Sequence, residues 1–173
     1  TDGTSSTGYS VGSTPEGITV GGRNLLLNSD NLSKWRAESS ITVSKSNEWF
    51  KITDIDTSTT HIGKRYGIYI DVEIESNTTY TLSVDCKNGS NAPGIGGGPM
   101  RKSSMNFGKV YKESNAANGI RFIKTITTGS SDDVWRFYLY VRVTAQGEYA
   151  LFKLPKLEKG NKATDWTPAP EDV

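Results

Sequence analysis

The sequence predicts an all-β protein that folds as a two-sheet antiparallel β-sandwich. Apolar and polar residues alternate with a period of two in most runs from Asn24 onward, which is the pattern that a half-buried antiparallel sheet requires. No run of useful length has the period of an amphipathic helix. The segments between the runs are rich in Gly, Ser, Asn and Asp, which favour turns. About eight to ten strands joined by such turns are typical of a β-sandwich.

The chain is predicted to divide into a linker and one domain. Residues 1–21 hold five glycines among Thr and Ser with little apolar periodicity, which is typical of an extended linker or fibre neck. Residues 22–173 remain for the sandwich, and a chain of ~150 residues can bury most of its unfolded surface in one core.

Charge and hydrophobicity exclude some classes of function. The net charge is +1 and there is no long basic run, so the sequence argues against a nucleic-acid partner. It has no apolar stretch of ~18 residues, so we expect neither a signal peptide nor membrane insertion. Cys86 is the single cysteine, and its place in the apolar phase of a predicted strand indicates a buried structural thiol.

The alternation predicts the strands in chain order. After a first strand at Asn24–Leu27, short strands are expected at residues 41–45 and 49–52, followed by longer ones at 68–74, 80–86, 120–126 and 134–143. Residues 88–99 are rich in Gly and Pro and are predicted to be a mobile loop or a lid over a binding face, because such a composition suits a ladder poorly. One irregular strand is expected between Arg101 and Tyr111.

The strand from Val134 to Val143 carries the clearest functional pattern. Its large apolar residues fix its register, since a slip by one residue would bury arginines. The outward positions are then Arg136, Tyr138, Tyr140 and Arg142. Sugar rings have apolar C–H faces that stack on aromatic rings, and their hydroxyls accept hydrogen bonds from guanidinium groups. The alternative is an ordinary sheet surface with cross-strand pairs.

Three segments resemble a known family. They are Gly22–Ser29 followed by Trp35, then Tyr80–Ser83 followed by Lys87, and the closing run Lys156–Asp172. Together they resemble the jelly-roll carbohydrate-binding module of tail-fibre, baseplate and tail-lysin proteins from phages of Gram-positive bacteria, over roughly residues 22 to 170. The resemblance implies a jelly roll that binds cell-surface carbohydrate, with Trp35 and Trp166 structural. A jelly roll also brings its ends together, so Asn24–Leu27 is expected beside Lys153–Glu158.

The resemblance also implies further binding residues. It places the strand of Tyr80–Ser83 in the concave sheet, so that Ser83, Asp85 and Lys87 would lie near Tyr138 and Tyr140. Other candidates come from the residues themselves, which predict Trp49 as core or sugar platform and Tyr66 at a loop edge. Tyr69, with Asp71 and Glu73, belongs either to the same face or to the opposite sheet.

Little in the sequence points to catalysis or to a metal site. His61 is the single histidine and lies in a polar loop, so it cannot assemble a typical zinc site. Carboxylate pairs such as Asp54 and Asp56 are common on solvated strands and do not by themselves indicate glycosidase chemistry. We expect no catalytic residue, no metal ligand and no cofactor. A structural calcium ion is the exception that related jelly rolls suggest, with Asp30, Asp54, Asp56 and Asp165 as weak candidates.

The expected function is non-catalytic binding of host cell-wall or surface polysaccharide by a phage tail or baseplate protein. Its partners would be the polysaccharide and other tail or baseplate proteins, and its location the virion. Two alternatives stay open, which are a structural spacer or trimerisation domain of a tail fibre and a glycan-cleaving enzyme domain.

Overall fold

The structure, a computed structural model, describes residues 22–100 and 110–173, so the predicted linker and residues 101–109 lie outside it. The described residues form ten β-strands and a 3₁₀ helix. The elements are β1 (Arg36–Ala37), β2 (Ile41–Ser46), β3 (Trp49–Asp54), β4 (Arg65–Glu73), β5 (Thr79–Asn88), β6 (Pro93–Pro99), β7 (Val110–Glu113), β8 (Ile120–Thr127), β9 (Val134–Arg142), β10 (Tyr149–Lys159) and η1 (Pro170–Asp172).

The strands make two five-stranded antiparallel sheets. Sheet A has the order β1-β4-β9-β6-β7, and sheet B has the order β2-β3-β10-β5-β8. From β3 to β6 and again from β7 to β10, the chain changes sheet at every connection. The fold is therefore the predicted two-sheet antiparallel β-sandwich of the jelly-roll type.

The core lies between the sheets and is built by the predicted alternation. On β9, Phe137, Leu139 and Val141 are at most 2% exposed, while Arg136 and Tyr138 point away from the core at the alternate positions. This confirms the register that the sequence predicts. Cys86 is fully buried on β5, and burial raises the pKa of its thiol to about 12, so it is an inert part of the core.

The two ends of the described chain meet, as predicted. The backbone N–H of Leu25 donates to the carbonyl of Leu157 at 2.8 Å. The buried side chain of Asn24 accepts from the N–H groups of Leu26 and Leu157 and donates to the carbonyl of Thr167. The first segment is irregular rather than a strand, because these side-chain bonds replace part of a ladder.

The prediction of a mobile loop at residues 88–99 is wrong. Pro93–Pro99 forms β6, which lies between β9 and β7 in sheet A. A Cβ at Gly94 would come within 2.3 Å of the Tyr140 ring, and one at Gly97 within 2.0 Å of the carbonyl oxygen of Arg136. The glycines let the Tyr140 ring and the Arg136 backbone approach β6 closely. The glycine content of this segment therefore reflects close packing and not a turn.

The irregular strand predicted between Arg101 and Tyr111 lies largely outside the described residues. Its last part coincides with the start of β7 (Val110–Glu113). Within the described ranges, no helix has the length and apolar character needed to cross a membrane.

Candidate functional site

The structure distributes the ten predicted site residues over three places. Tyr69, Arg136, Tyr138, Tyr140 and Arg142 belong to the outward positions of sheet A. Trp49, Ser83, Asp85 and Lys87 belong to sheet B, and Tyr66 packs between the sheets.

The predicted grouping of Ser83, Asp85 and Lys87 with the tyrosines of β9 is therefore wrong. These three residues lie on β5 in sheet B, whereas β9 lies in sheet A. The resemblance correctly indicated the jelly roll, but it assigned β5 to the sheet that holds β9.

A pair of tyrosines is the centre of the outer face of sheet A. Tyr69 of β4 lies directly opposite Tyr138 of β9, and their ring centroids are 5.3 Å apart with the planes tilted by 45°. This tilted contact is a favourable geometry for two aromatic rings. Both residues are only partly buried. We call the surface formed by Arg36, Tyr69, Asp71, Arg136 and Tyr138 the tyrosine face.

An arginine–aspartate fork fixes the tyrosine pair. The Nε and Nη2 groups of Arg136 donate to the two carboxylate oxygens of Asp71 at 2.7 and 2.9 Å. The Arg136 guanidinium carbon lies 4.1 Å from the centroid of the Tyr69 ring, a cation–π distance. Hydrogen bonding to Asp71 raises the pKa of Arg136 above its usual value, so the fork remains charged. A bidentate pair of this kind holds both partners in one orientation.

Arg36 extends the tyrosine face at its edge. Its guanidinium carbon lies 5.6 Å from the centroid of the Tyr69 ring, and its Nη2 lies 3.9 Å from Asp71. The Arg36 side chain is 70% exposed, so it is a cation that a ligand on the tyrosine face can reach. Arg36 could not be predicted from the sequence, because β1 has only two residues and shows no alternation.

Tyr140 does not face solvent as predicted. It is 1% exposed, and its ring lies over Gly94 of β6. Its hydroxyl donates to the carboxylate of Glu113, which also accepts from Nε of Arg65 at 2.8 Å.

The contact between Tyr140 and Glu113 shifts the pKa values of both side chains. Burial, together with Glu113, raises the pKa of Tyr140 well above its usual value. The hydrogen bond from Arg65 is the main cause of the lowered pKa of Glu113. Tyr140 is thus a neutral, buried side chain that joins β9 to Gly94 of β6 and Glu113 of β7. The exposed Arg142 lies beside Arg65 at the end of the ladder.

The outer face of sheet B carries a row of charged and aromatic side chains. Asp85 lies opposite Lys153 on β10 and opposite Arg121 on β8. The Lys153 ammonium is 4.5 Å from the centroid of the Trp49 ring, so Trp49 faces outward rather than into the core. Lys87 follows Asp85 at the next outward position and is half-buried.

Ser83, by contrast, is fully buried, and its hydroxyl accepts from Nη2 of Arg121 at 3.1 Å. The prediction of Ser83 as a ligand-contacting residue therefore has no support in its position. Ser83 points away from the core but is not exposed, because the Arg121 side chain and nearby residues of the same chain cover it.

A groove of about 390 Å³ opens beside this row. Asp85, Arg121 and Ile123 line it together with residues 163–166 of the closing segment. Trp166 is only partly buried, and its Nε1 donates to the hydroxyl of Ser29 at 3.1 Å. The alternation of β8 does place Arg121 and Ile123 outward, and an outward isoleucine is the sequence signal that could have indicated this groove.

The single histidine is held by local contacts. His61 Nδ1 lies 2.9 Å from the carboxylate of the buried Asp54, and Nε2 lies 3.5 Å from that of Asp56. The His61 ring stacks on Tyr66 at a centroid distance of 3.8 Å. Tyr66 also packs against the core, so its predicted place at an open loop edge is wrong. Within residues 22–100 and 110–173, no group of three or more His, Cys, Asp or Glu residues could hold a metal ion.

Comparison with known proteins identifies the fold. No protein-family model and no curated protein matches the sequence. The sandwich is similar to the enzymatically active domain of bacteriophage CBA120 tailspike protein 4, with a TM-score of 0.60 and 11% identity over 79% of this chain and 21% of that chain. It is also similar to a family 16 carbohydrate-binding module (TM-score 0.53, 15% identity, 78% of this chain and 99% of that one).

A third similar structure is the CBM22-1 xylan-binding domain of Paenibacillus barcinonensis Xyn10C, with a TM-score of 0.52 and 15% identity over 84% of this chain and 100% of that domain. The chain thus spans about a fifth of the tailspike chain but nearly the whole of the binding modules. At these identities the likeness shows the fold alone, which is a jelly-roll β-sandwich of the carbohydrate-binding-module type.

Proposed function

We propose that the protein binds polysaccharide of the bacterial cell surface, without catalysis, through the tyrosine face. The observation that carries this proposal is the partly exposed Tyr69–Tyr138 pair, held in place by the Arg136–Asp71 fork. The two rings offer stacking surfaces to the C–H faces of a sugar, and the guanidinium group of Arg36 offers donors to its hydroxyls. The exposed Arg142 lies outside the tyrosine face, farther along β9, and offers a donor to a longer glycan.

The rigidity of the tyrosine face favours binding. The fork, the cation–π contact and the tilted ring contact restrict the rotamers of Tyr69 and Tyr138 before a ligand arrives. A face ordered in advance loses less conformational entropy on binding. Tyr140 is buried against Gly94 and Glu113 and is not proposed to contact the sugar.

The contacts of Asp71, Asp54 and Asp56 with neighbouring side chains support a binding function rather than hydrolysis. Both oxygens of Asp71 accept from Arg136, and Asp54 and Asp56 are paired with His61. A glycosidase requires one carboxyl group with a raised pKa as acid and a second one facing it. The solved binding modules, whose whole length this chain spans, support the same class of function. Stacking and hydrogen bonding use no cofactor.

We further propose that the chain belongs to a phage tail or baseplate protein and acts in the virion at the surface of a Gram-positive host. The family-like segments at its two ends and the similarity to a phage tailspike domain support this role. Other tail proteins would then be its partners. A weak single site would suit a virion that carries many copies, because multivalency converts weak binding into avidity.

Cosedimentation with purified Gram-positive cell walls tests the proposal. The wild-type chain is expected to sediment with the walls and to be released by soluble wall polysaccharide, without shortening of that polysaccharide. New reducing ends would instead indicate a glycan-cleaving enzyme. Absence of wild-type sedimentation would favour a structural spacer domain.

A further inference from the structure

The groove beside Asp85 and Trp166 has the form of a preorganised site. Its outer wall is the segment of residues 163–166, and this segment is anchored by buried charges. The ammonium of Lys156, which is 1% exposed, donates to the hydroxyl of Thr164 at 2.9 Å and to the carbonyl of Asp165 at 2.8 Å. Glu158, also 1% exposed, accepts from the N–H and the hydroxyl of Thr164.

The floor of the groove is equally fixed. Arg121 donates from Nη1 to the carbonyl of Leu154 at 2.6 Å and to Oδ1 of Asp85 at 3.3 Å. The side chains of Arg121 and Asp85 are each 26% exposed, so both can be reached from solvent. Asp85 Oδ2 accepts no hydrogen bond from any residue that the structure describes. Asp85 lines the groove, and its contact with Arg121 holds the carboxylate in place.

The groove combines an apolar surface with polar groups. The Trp166 indole forms part of one wall, and Ile123, which is 54% exposed, forms part of the floor. Around them stand the acceptor Asp85 and the cation Arg121. The volume of about 390 Å³ lies in the range of small-molecule sites. An aromatic wall beside hydroxyl-binding groups is the chemistry that a pyranose ring requires.

We infer that this groove is a second saccharide site, which takes a neutral sugar ring stacked against Trp166 with a hydroxyl donating to Asp85. The inference rests on the proposed glycan-binding function and adds a site on the opposite sheet. The row from Asp85 through Lys153 to Trp49 leads away from the groove across sheet B. A longer glycan would follow this row and end on the Trp49 ring.

Two sites on opposite faces would let one chain contact two glycan strands, or two segments of one strand. Linking two weak sites raises the overall affinity by making the second contact intramolecular. Because the tyrosine face and the groove lie on different sheets, either can be altered without changing the side chains of the other.

The test uses the full chain and the neutral polysaccharide fraction of Gram-positive cell walls, measured by isothermal titration calorimetry. Ile123→Lys fills the groove with a long side chain whose ammonium neutralises Asp85, while Trp166 is left in place. Ile55→Lys is the matched control, since Ile55 is 58% exposed and lies outside the groove lining. Each change is made in the wild type and in the Tyr69→Ala/Tyr138→Ala variant, with circular dichroism to verify folding.

The expected result is residual binding by the double-alanine variant that falls at least tenfold with Ile123→Lys and is unchanged with Ile55→Lys. Unchanged residual binding with Ile123→Lys would overturn the inference. So would the loss of all binding in the double-alanine variant while the wild type binds, because the tyrosine face would then be the sole site. A wild type that does not bind would overturn the proposed function itself, and the second site with it.

Discussion

The two outer faces of the sandwich differ in how deeply their polar side chains are buried. On sheet A, outward residues such as Tyr69 and Asp71 stay partly exposed and contact their neighbours across adjacent strands. On sheet B, the outward residues Thr81, Ser83, Lys156 and Glu158 are at most 1% exposed. Segments from both chain ends cover them, with Gly22 and Thr164 both donating to Glu158.

This difference shows that a residue can point away from the core and still be buried. A period of two tells which side of a sheet a residue is on, but burial there depends on what else packs against that side. The cover over sheet B stabilises the closure of the sandwich, and its polar groups are satisfied by one another. The tyrosine face has no such role in closing the fold, which leaves it available for a ligand.

The largest expected effect concerns the cover over sheet B. Asn24→Ala should lower the free energy of unfolding by about 3 kcal/mol, because the buried amide satisfies two backbone N–H groups and the carbonyl of Thr167. Asn31→Ala is the matched control, because the exposed Asn31 side chain accepts a local hydrogen bond from the N–H of Ser33. It should change the free energy of unfolding by less than about 1 kcal/mol. Urea unfolding measures both. Equal effects would show that Asn24 does not close the chain ends.

A smaller effect is expected in the fork of the tyrosine face. Arg136→Lys keeps the charge but loses the bidentate contact with Asp71, which a lysine cannot form. Affinity for wall polysaccharide should fall by about 1–2 kcal/mol, since Tyr69 and Tyr138 lose their fixed orientation. Calorimetry measures this change. Lys45→Arg on sheet B is the matched control, because Lys45 is exposed on β2 and belongs to neither proposed site. An affinity that is insensitive to Arg136→Lys would separate the fork from binding.

Part of the tyrosine face could be predicted from the alternation of apolar and polar residues in the long strands. β9 is apolar at every second position, so Arg136 and Tyr138 had to lie outward. The sequence could not predict that Tyr140 is buried, because this depends on the glycines of β6, whose composition predicts a loop. It also could not reveal that Arg121 covers Ser83, since their contact joins residues 38 positions apart. Alternation is a local property of the sequence. Whether an outward side chain is buried depends on residues that are distant in the sequence and pack over it.

The smallest expected effect is the pH dependence of the Arg65–Glu113–Tyr140 contact. Arg65 lowers the folded-state pKa of Glu113 below its usual value of 4.5, so the unfolded chain takes up the proton first as the pH falls. The contribution of Glu113 is therefore present at neutral pH and is lost as the pH falls through the folded-state pKa. Glu113→Gln should cost about 1 kcal/mol of unfolding free energy at pH 7 and less at pH 3.

Thermal unfolding of wild type and Glu113→Gln at both pH values measures this difference. Glu73→Gln, which changes an exposed carboxylate of β4, is the control. A penalty for Glu113→Gln that stays constant between the two pH values would contradict the assigned role of the Arg65–Glu113–Tyr140 contact.

The most direct test of the tyrosine face is attachment to Gram-positive cells by the Tyr69→Ala/Tyr138→Ala variant. Tyr149→Ala is the matched control, because Tyr149 is a half-buried tyrosine on sheet B with the Lys51 ammonium 4.1 Å from its ring centroid. Loss of the stacking rings should weaken attachment by about 1–2 kcal/mol per tyrosine, with a folded circular dichroism spectrum. Tyr149→Ala should attach as the wild type does. Normal attachment by the folded double-alanine variant would contradict the central claim.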